Sequence, residues 1–225
     1  MDARLPRAFD WARTHAVVSD GLVDHELRAV RPDVLIAGSD DAPELRIDLP
    51  AVLPRLVVGA DPREWLAMLP ERLGVEAAVL LRAGSAALGV WHDDVLVHHK
   101  VFKRYVVRGN GKAQAAHLRS KGKSRYGSRL RLQNAQRLLV EVNERLAEWE
   151  LAAGPFETIH FACPVRLWAD LMNTTPPPPF AADDPRLRKV TFHVHEPDFE
   201  ELQRVRDRLR RGRVSSARDP AEPDA

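Results

Sequence analysis

The sequence predicts an α/β fold, one mixed β-sheet with helices packed on it, preceded by a small α+β domain. Three observations carry this expectation. Three apolar runs, "AAVLLRA" (77–83), "SAALGVWH" (85–92) and "DVLVHHKVFKRYVVR" (94–108), are separated only by the tight turns Ala83-Gly84-Ser85 and His92-Asp93-Asp94, and strands spaced so closely pair as an antiparallel meander. Strand-like and helix-like segments then alternate to about residue 213, the arrangement of helices covering a sheet. Hydrophobic residues make up 44% of the 225, enough to fill a sizeable core.

In chain order, residues 1–74 form the small first domain. "ELRIDLP" (44–50) alternates as a short strand, and "GSDDAP" is the polar turn before it. Asp61, Pro62 and Glu64 supply an N-cap, a first helical proline and an acidic third position, so "PREWLAMLPERLG" reads as a helix closed by Gly74. After the meander, Ala135, Leu138, Leu139, Val142, Leu146 and Trp149 recur at spacings of three and four, and Gly154-Pro155 ends that helix. "ETIHFACP" (157–164) reads as a buried strand, "VRLWADLM" (165–172) as a helix and "NTTPPPPFAADDPR" (173–186) as a stiff extended loop. "KVTFHVHE" (189–196) alternates as a strand. The last helix starts at Asp198, with Glu201 at the reciprocal capping position and Phe199, Leu202, Val205 and Leu209 along its apolar side. Residues 214–225 read as a disordered tail.

Charge singles out the segment between the third strand and the first long helix. The net charge is +2, yet residues 95–140 hold 12 Lys or Arg and no carboxylate, which leaves 22 basic against 32 acidic residues elsewhere, a balance of −10. Such confinement builds a local field that attracts a polyanion while the rest discourages indiscriminate adhesion. Nucleic acid is the expected partner. Residues 108–128 form a long loop, and loops of that length inside a compact domain generally carry function. Its glycines, Gly109 and Gly111 among them, allow close approach to a ligand, and its cations neutralise phosphates.

The loop reads "RYVVR" (104–108), "GNGKAQ" (109–114), "AAH" (115–117) and "SKGKSRYGSRLR" (120–131), followed by a helix from about Leu130. In this it resembles the VLRF family, the release-factor-like peptidyl-tRNA hydrolases of ribosome quality control. The order of elements from 75 to 213 is similar to the middle domain of eukaryotic and archaeal class I peptide release factors. The resemblance implies an RNase H-like sheet and a loop that enters the peptidyl-transferase centre of the large ribosomal subunit. It also implies a catalytic role for Gln114. The RNA- and tRNA-binding set it implies is Arg104, Arg108, Gly109, Gly111, Lys112, His117, Arg119, Lys121, Lys123, Arg125, Arg129 and Arg131. Release factors place Gly directly before the Gln, whereas Ala113 stands there in this chain and the nearest glycine is Gly111. The hydrolytic detail therefore does not transfer automatically.

An amide is neutral at any relevant pH, so Gln114 is neither base nor nucleophile; it orients a water or a ribose hydroxyl and stabilises oxyanion charge. The bond broken is either the peptidyl ester or a phosphodiester near the CCA end. The competing class is a ribosome- or RNA-binding module without chemistry, and a third is a hydrolase of free peptidyl-tRNA. No motif calls for a metal or small-molecule cofactor. His98 with His99 and His193 with His195 read as ordinary strand histidines, and Asp93 with Asp94 as turn residues. A single cysteine, Cys163, and a start without an apolar signal run point to the cytoplasm. No apolar stretch approaches the ~20 residues that span a bilayer.

Overall fold

The computed structural model describes residues 5–104 and 123–216, with 123–128 described as backbone only. The chain divides into two compact units, one of residues up to 72 together with those from 206 on, the other of residues 73–205.

In the first unit, strands β1 (Ala8–Asp10), β2 (Arg28–Arg31), β3 (Val34–Gly38), β4 (Pro43–Asp48) and β10 (Arg211–Ser216) form an antiparallel sheet in the order β1-β10-β4-β3-β2. Leu35 and Ile47 lie opposite each other, fully buried. Helix α1 (Thr14–Asp24) buries Thr14, Val17, Val18 and Gly21, one side of a helix at spacings of three and four. Helix α2 (Pro62–Ala67) is shorter than expected. Asp61 does cap it, accepting from the Arg63 N–H at 2.8 Å. Pro70 disfavours helical backbone at Leu69, so the helix stops well before Gly74.

The strand β10 corrects the expectation of a tail disordered from 214. Residues 214–216 are paired to Ile47, Arg46 and Leu45. The buried positions of this strand are Gly212 and Val214, between exposed Arg211 and Arg213. A Cβ at Gly212 would sit 2.2 Å from the Phe9 ring, so glycine is what lets β1 and β10 approach. A strand built on glycine and arginine has almost no local β signal.

The second unit carries the expected mixed sheet. Strands β5 (Val75–Arg82), β6 (Ser85–His92) and β7 (Val95–Lys103) form the meander, β8 (Thr158–Ala162) and β9 (Leu187–Lys189) run parallel to β5, and the order is β7-β6-β5-β8-β9. Gly84 has φ +88°, and Asp93 and Asp94 have φ +46° and +72°, the left-handed pair that a two-residue hairpin requires. The Asp93 carboxylate accepts from the Gly74 N–H at 2.9 Å, which fixes this turn against the start of β5.

Helix α3 (Lys123–Ala153) begins inside the stretch that the sequence assigns to the loop, so residues 123–128 are helical. Leu138, Leu139, Val142, Leu146 and Trp149 join Ala77, Val79, Leu81, Leu88 and Ile159 in one buried core. The helix ends where Gly154 turns to φ +100° and donates to the Glu150 carbonyl at 3.1 Å. Helix α4 (Val165–Met172) is tied to α3 by Asn143, whose amide donates to the carbonyls of Leu171 at 3.1 Å and Pro176 at 2.9 Å. Beyond it, the strand expected over 189–196 is β9 instead. The Val190 N–H still reaches the Phe161 carbonyl at 2.9 Å, but β8 ends at Ala162 and Pro164 offers no N–H, so nothing remains to pair with. Helix α5 (Phe199–Leu209) starts as expected at Asp198, which accepts from the Glu201 N–H at 2.8 Å. The Glu201 carboxylate accepts from the Arg204 guanidinium and from the His195 N–H at 2.5 Å, and these bonds, Arg204's above all, hold it below the usual carboxylate range.

Candidate nucleic-acid interface

Strand β7 and helix α3 flank the basic loop in sequence, and their described residues build its stem. Arg104, just after β7, donates its backbone N–H to the Gly84 carbonyl at 2.7 Å, so the ladder between β6 and β7 closes at this residue. Its guanidinium lies against α3, one nitrogen bonded to both oxygens of Glu141 at 2.5 and 2.6 Å. That contact raises the Arg104 pKa further. Arg104 is therefore a permanent cation whose charge is already matched by a carboxylate, and what it offers a ligand is mainly the face and remaining N–H groups of a planar, held side chain.

Beside this ion pair lies a groove of about 590 Å³, lined by Arg104, Gln133, Asn134, Gln136, Arg137 and Glu141 among others. Gln133, Gln136 and Arg137 are exposed, as is Arg129 one turn earlier; Arg131 is half-buried. Leu132, 71% exposed, stands on the same stretch of helix. From Lys123 to Val140 the helix carries no carboxylate. Glu141 is the first, and Arg104 occupies it.

Of the residues expected to bind RNA, Arg104 at the end of β7 and Arg129 and Arg131 on α3 are described; only Arg104 lines the groove. Lys123 and Arg125 fall in the first turns of α3, where only backbone is described. Gln114, Arg108, Gly109, Gly111, Lys112, His117, Arg119 and Lys121 lie outside the described residues. Sequence reasoning missed Gln133, Asn134, Gln136 and Glu141 because the helical period was used to find the core side. The signal was the complementary stripe Gln133, Arg137, Val140, Glu144, at helical spacing on the polar side.

The remaining candidates lie at the surface in ring contacts, His98 half-buried and His99, His193 and His195 exposed. His98 stacks on Trp149 at 5.4 Å between ring centroids, His99 tilts against Phe199 at 4.5 Å, and His193 meets His195 edge-on at 4.8 Å. Among the described residues no group of three or more His, Cys, Asp or Glu is placed to hold a metal ion, and no helix is long and apolar enough to cross a membrane. Burial, with Asp170 nearby, pushes the Cys163 thiol up to about 12, so it carries almost no thiolate at neutral pH and is no nucleophile.

Residues 77–217 match the family model of the Bacteroidetes VLRF1 release factor. The chain belongs to this family. Two curated relatives are named tRNA endonuclease ANKZF1. The mouse protein is 35% identical over 137 residues, which are 58% of this chain and 18% of that protein; the human protein is 33% identical over 166 residues, 69% and 23% respectively. The chain thus spans only about a fifth of the length of these relatives. Among solved structures, the "Vms1 mitochondrial localization core" shares the fold, with a TM-score of 0.51 and 13% identity over 96% of this chain and 85% of the other. The VLRF1 match takes in β5 through β10 and the loop between β7 and α3, with Gln114 inside it.

Proposed function

We propose that this VLRF1 member is a release-factor-like hydrolase of ribosome quality control that frees nascent chains from peptidyl-tRNA on stalled large ribosomal subunits in the cytoplasm. The observation that carries the reading is the family match across the loop, which sets Gln114 in a segment free of carboxylates between β7 and α3. The basic residues of the loop, with Arg129 and Arg131 on α3, hold the tRNA 3′ end and ribosomal RNA. Gln114 positions the attacking water and donates to the developing oxyanion. Water adds to the ester carbonyl, the ribose oxygen leaves with a proton, and a free peptide and an intact CCA end result.

A second reading has its own support in the name of the curated relatives, tRNA endonuclease. There a ribose 2′-hydroxyl attacks the adjacent phosphorus, the 5′-oxygen of the next nucleotide leaves, and the tRNA ends short in a cyclic phosphate. Glutamine suits either reaction, since both build negative charge on oxygen. The test uses stalled large subunits carrying labelled peptidyl-tRNA, with the tRNA 3′ end mapped after reaction. Release with intact CCA supports the hydrolase; a shortened end supports the endonuclease. Gln114→Ala is expected to slow the reaction about 10²-fold, the scale of losing one oxyanion donor, with ribosome binding retained. Unchanged release by Gln114→Ala would leave a docking module.

A further inference from the structure

We infer that Arg104 and Glu141 are a positioning pair, which fixes the direction in which the chain leaves β7 toward the basic loop and so governs the placement of Gln114, rather than part of the surface that holds RNA. The inference rests on the proposed reaction and goes beyond it, since neither residue touches the substrate. The end of β7 is held twice. The Arg104 backbone N–H closes the ladder on the Gly84 carbonyl at 2.7 Å, and one guanidinium nitrogen bonds both Glu141 oxygens at 2.5 and 2.6 Å. Glu141 stands on a fixed part of α3, because Leu138 and Val142 on either side of it are buried in the core. Strand and helix run past each other in opposite directions, with His98 stacked on Trp149 and Arg104 against Glu141. At Glu141 the strand gives out while the helix goes on: Lys123 lies about 27 Å nearer the helix start.

Stability does not explain the pair. An exposed ion pair contributes little to folding, and the Arg104 side chain is 41% exposed. β7 is already paired along its length with β6, and α3 is fixed by its core side. What the pair adds is direction. The Arg145–Glu148 pair, at 2.6 Å, joins residues within one turn of α3, whereas Arg104 and Glu141 are 37 residues apart and tie two elements together. Nor is the surrounding groove built for phosphate. Arg104 and Arg137 line it together with Glu141 and the exposed Glu144, so two guanidiniums face two carboxylates and little net attraction for a polyanion remains. Residues 95–140 exclude carboxylates altogether, and Glu141, the first one permitted, is the one that receives Arg104.

The test follows single-turnover reaction of stalled large subunits carrying labelled peptidyl-tRNA, with the full chain at rising concentration, so that half-saturation and limiting rate are read separately. The variants are Arg104→Ala, Glu141→Ala, both together, and Glu148→Ala as a control for loss of a carboxylate from the same helix. Alanine favours a helix, and unchanged melting temperatures are expected. Each single variant of the pair is expected to lower the limiting rate at least tenfold at unchanged half-saturation, since a misplacement on the order of 1 Å costs up to about 10²-fold. The double variant should be no slower than the slower single one, because the two residues act as a unit. Glu148→Ala should react as the unaltered chain does. Glu141→Ala is the decisive protein: it removes a negative charge, so if Arg104 were an RNA contact the change would tighten binding or leave the rate as it was. An unchanged rate in Glu141→Ala, a loss in Arg104→Ala seen only in half-saturation, or a loss of rate that follows a fall in melting temperature would overturn the inference while the proposed reaction stands. If the unaltered chain frees no peptide and shortens no tRNA, the reaction is misread and the inference falls with it.

Discussion

The two five-stranded sheets are of equal strand number and opposite construction. The one in residues 73–205 takes its strands from a continuous stretch of chain and places each strand of the meander beside its sequence neighbour. The other completes itself with a strand from the far end of the chain, inserting β10 between β1 and β4. In the first, tight turns decide the pairing of β5, β6 and β7, and these strands and β8 are apolar enough to announce themselves; only the short β9, Leu-Arg-Lys, does not. In the second, a strand of arginines, glycine, valine and serines is held by partners on both sides. The difference teaches that strand order follows local signals only where the connections are short.

Breaking that contrast takes one truncation. A chain ending at Arg210 keeps α5 but loses β10, so β1 is left with no partner strand and β4 with one free edge. Hydrogen exchange should show the amides of Phe9 and of β4 losing most of their protection while those of β5, β6 and β7 keep theirs. Equal protection in both sheets would show that β10 is dispensable.

A matched pair of substitutions sharpens the contrast. Each sheet has a glycine covered by an aromatic ring. A Cβ at Gly212 would lie 2.2 Å from Phe9, and one at Gly89 2.5 Å from Trp91 and 3.0 Å from Leu202. Overpacking of this kind costs about 1–3 kcal/mol. Phe9 sits on a three-residue edge strand that can yield, whereas Trp91 and Leu202 belong to longer elements. Gly89→Ala should therefore cost more than Gly212→Ala, read as the difference in urea midpoint at unchanged slope.

The smallest effect concerns acid. The Arg186 guanidinium holds the Asp184 carboxyl below its ordinary value, and Arg204 does the same for Glu201. The unfolded chain then binds more protons than the folded one through the ordinary carboxylate range, so stability is present above that range and declines as pH falls through it. Asp184→Asn should flatten the decline, a change read from melting temperature against pH. A steeper decline in the variant would contradict the pairing.

Much of the second unit was legible because its evidence is local. The stripe from Leu138 to Trp149 gives α3, the caps at Asp198 and Gly154 give helix ends, and Asp93-Asp94 gives a turn. Helix α1 was not legible: Gly21 and the polar Ser19-Asp20 weaken its period, and Gly21 is buried where a Cβ would crowd Leu27 at 3.2 Å and Ile47 at 3.3 Å. For the site, the charge pattern marked the loop and both of its flanks. The groove was hidden, because Glu141 reads as an ordinary helix carboxylate until the end of β7 is brought against it.

By itself, then, the sequence determined what free energies within a few residues decide: the periods, the caps, the turns and the separation of positive from negative charge. Tertiary structure alone decided which strand fills the gap between β1 and β4, where β9 stops for want of a partner, and that Arg104 meets Glu141 rather than open solvent. Those outcomes depend on hydrogen-bonding groups distant in the chain, whose pairing is favourable only once the rest of the fold has brought them together.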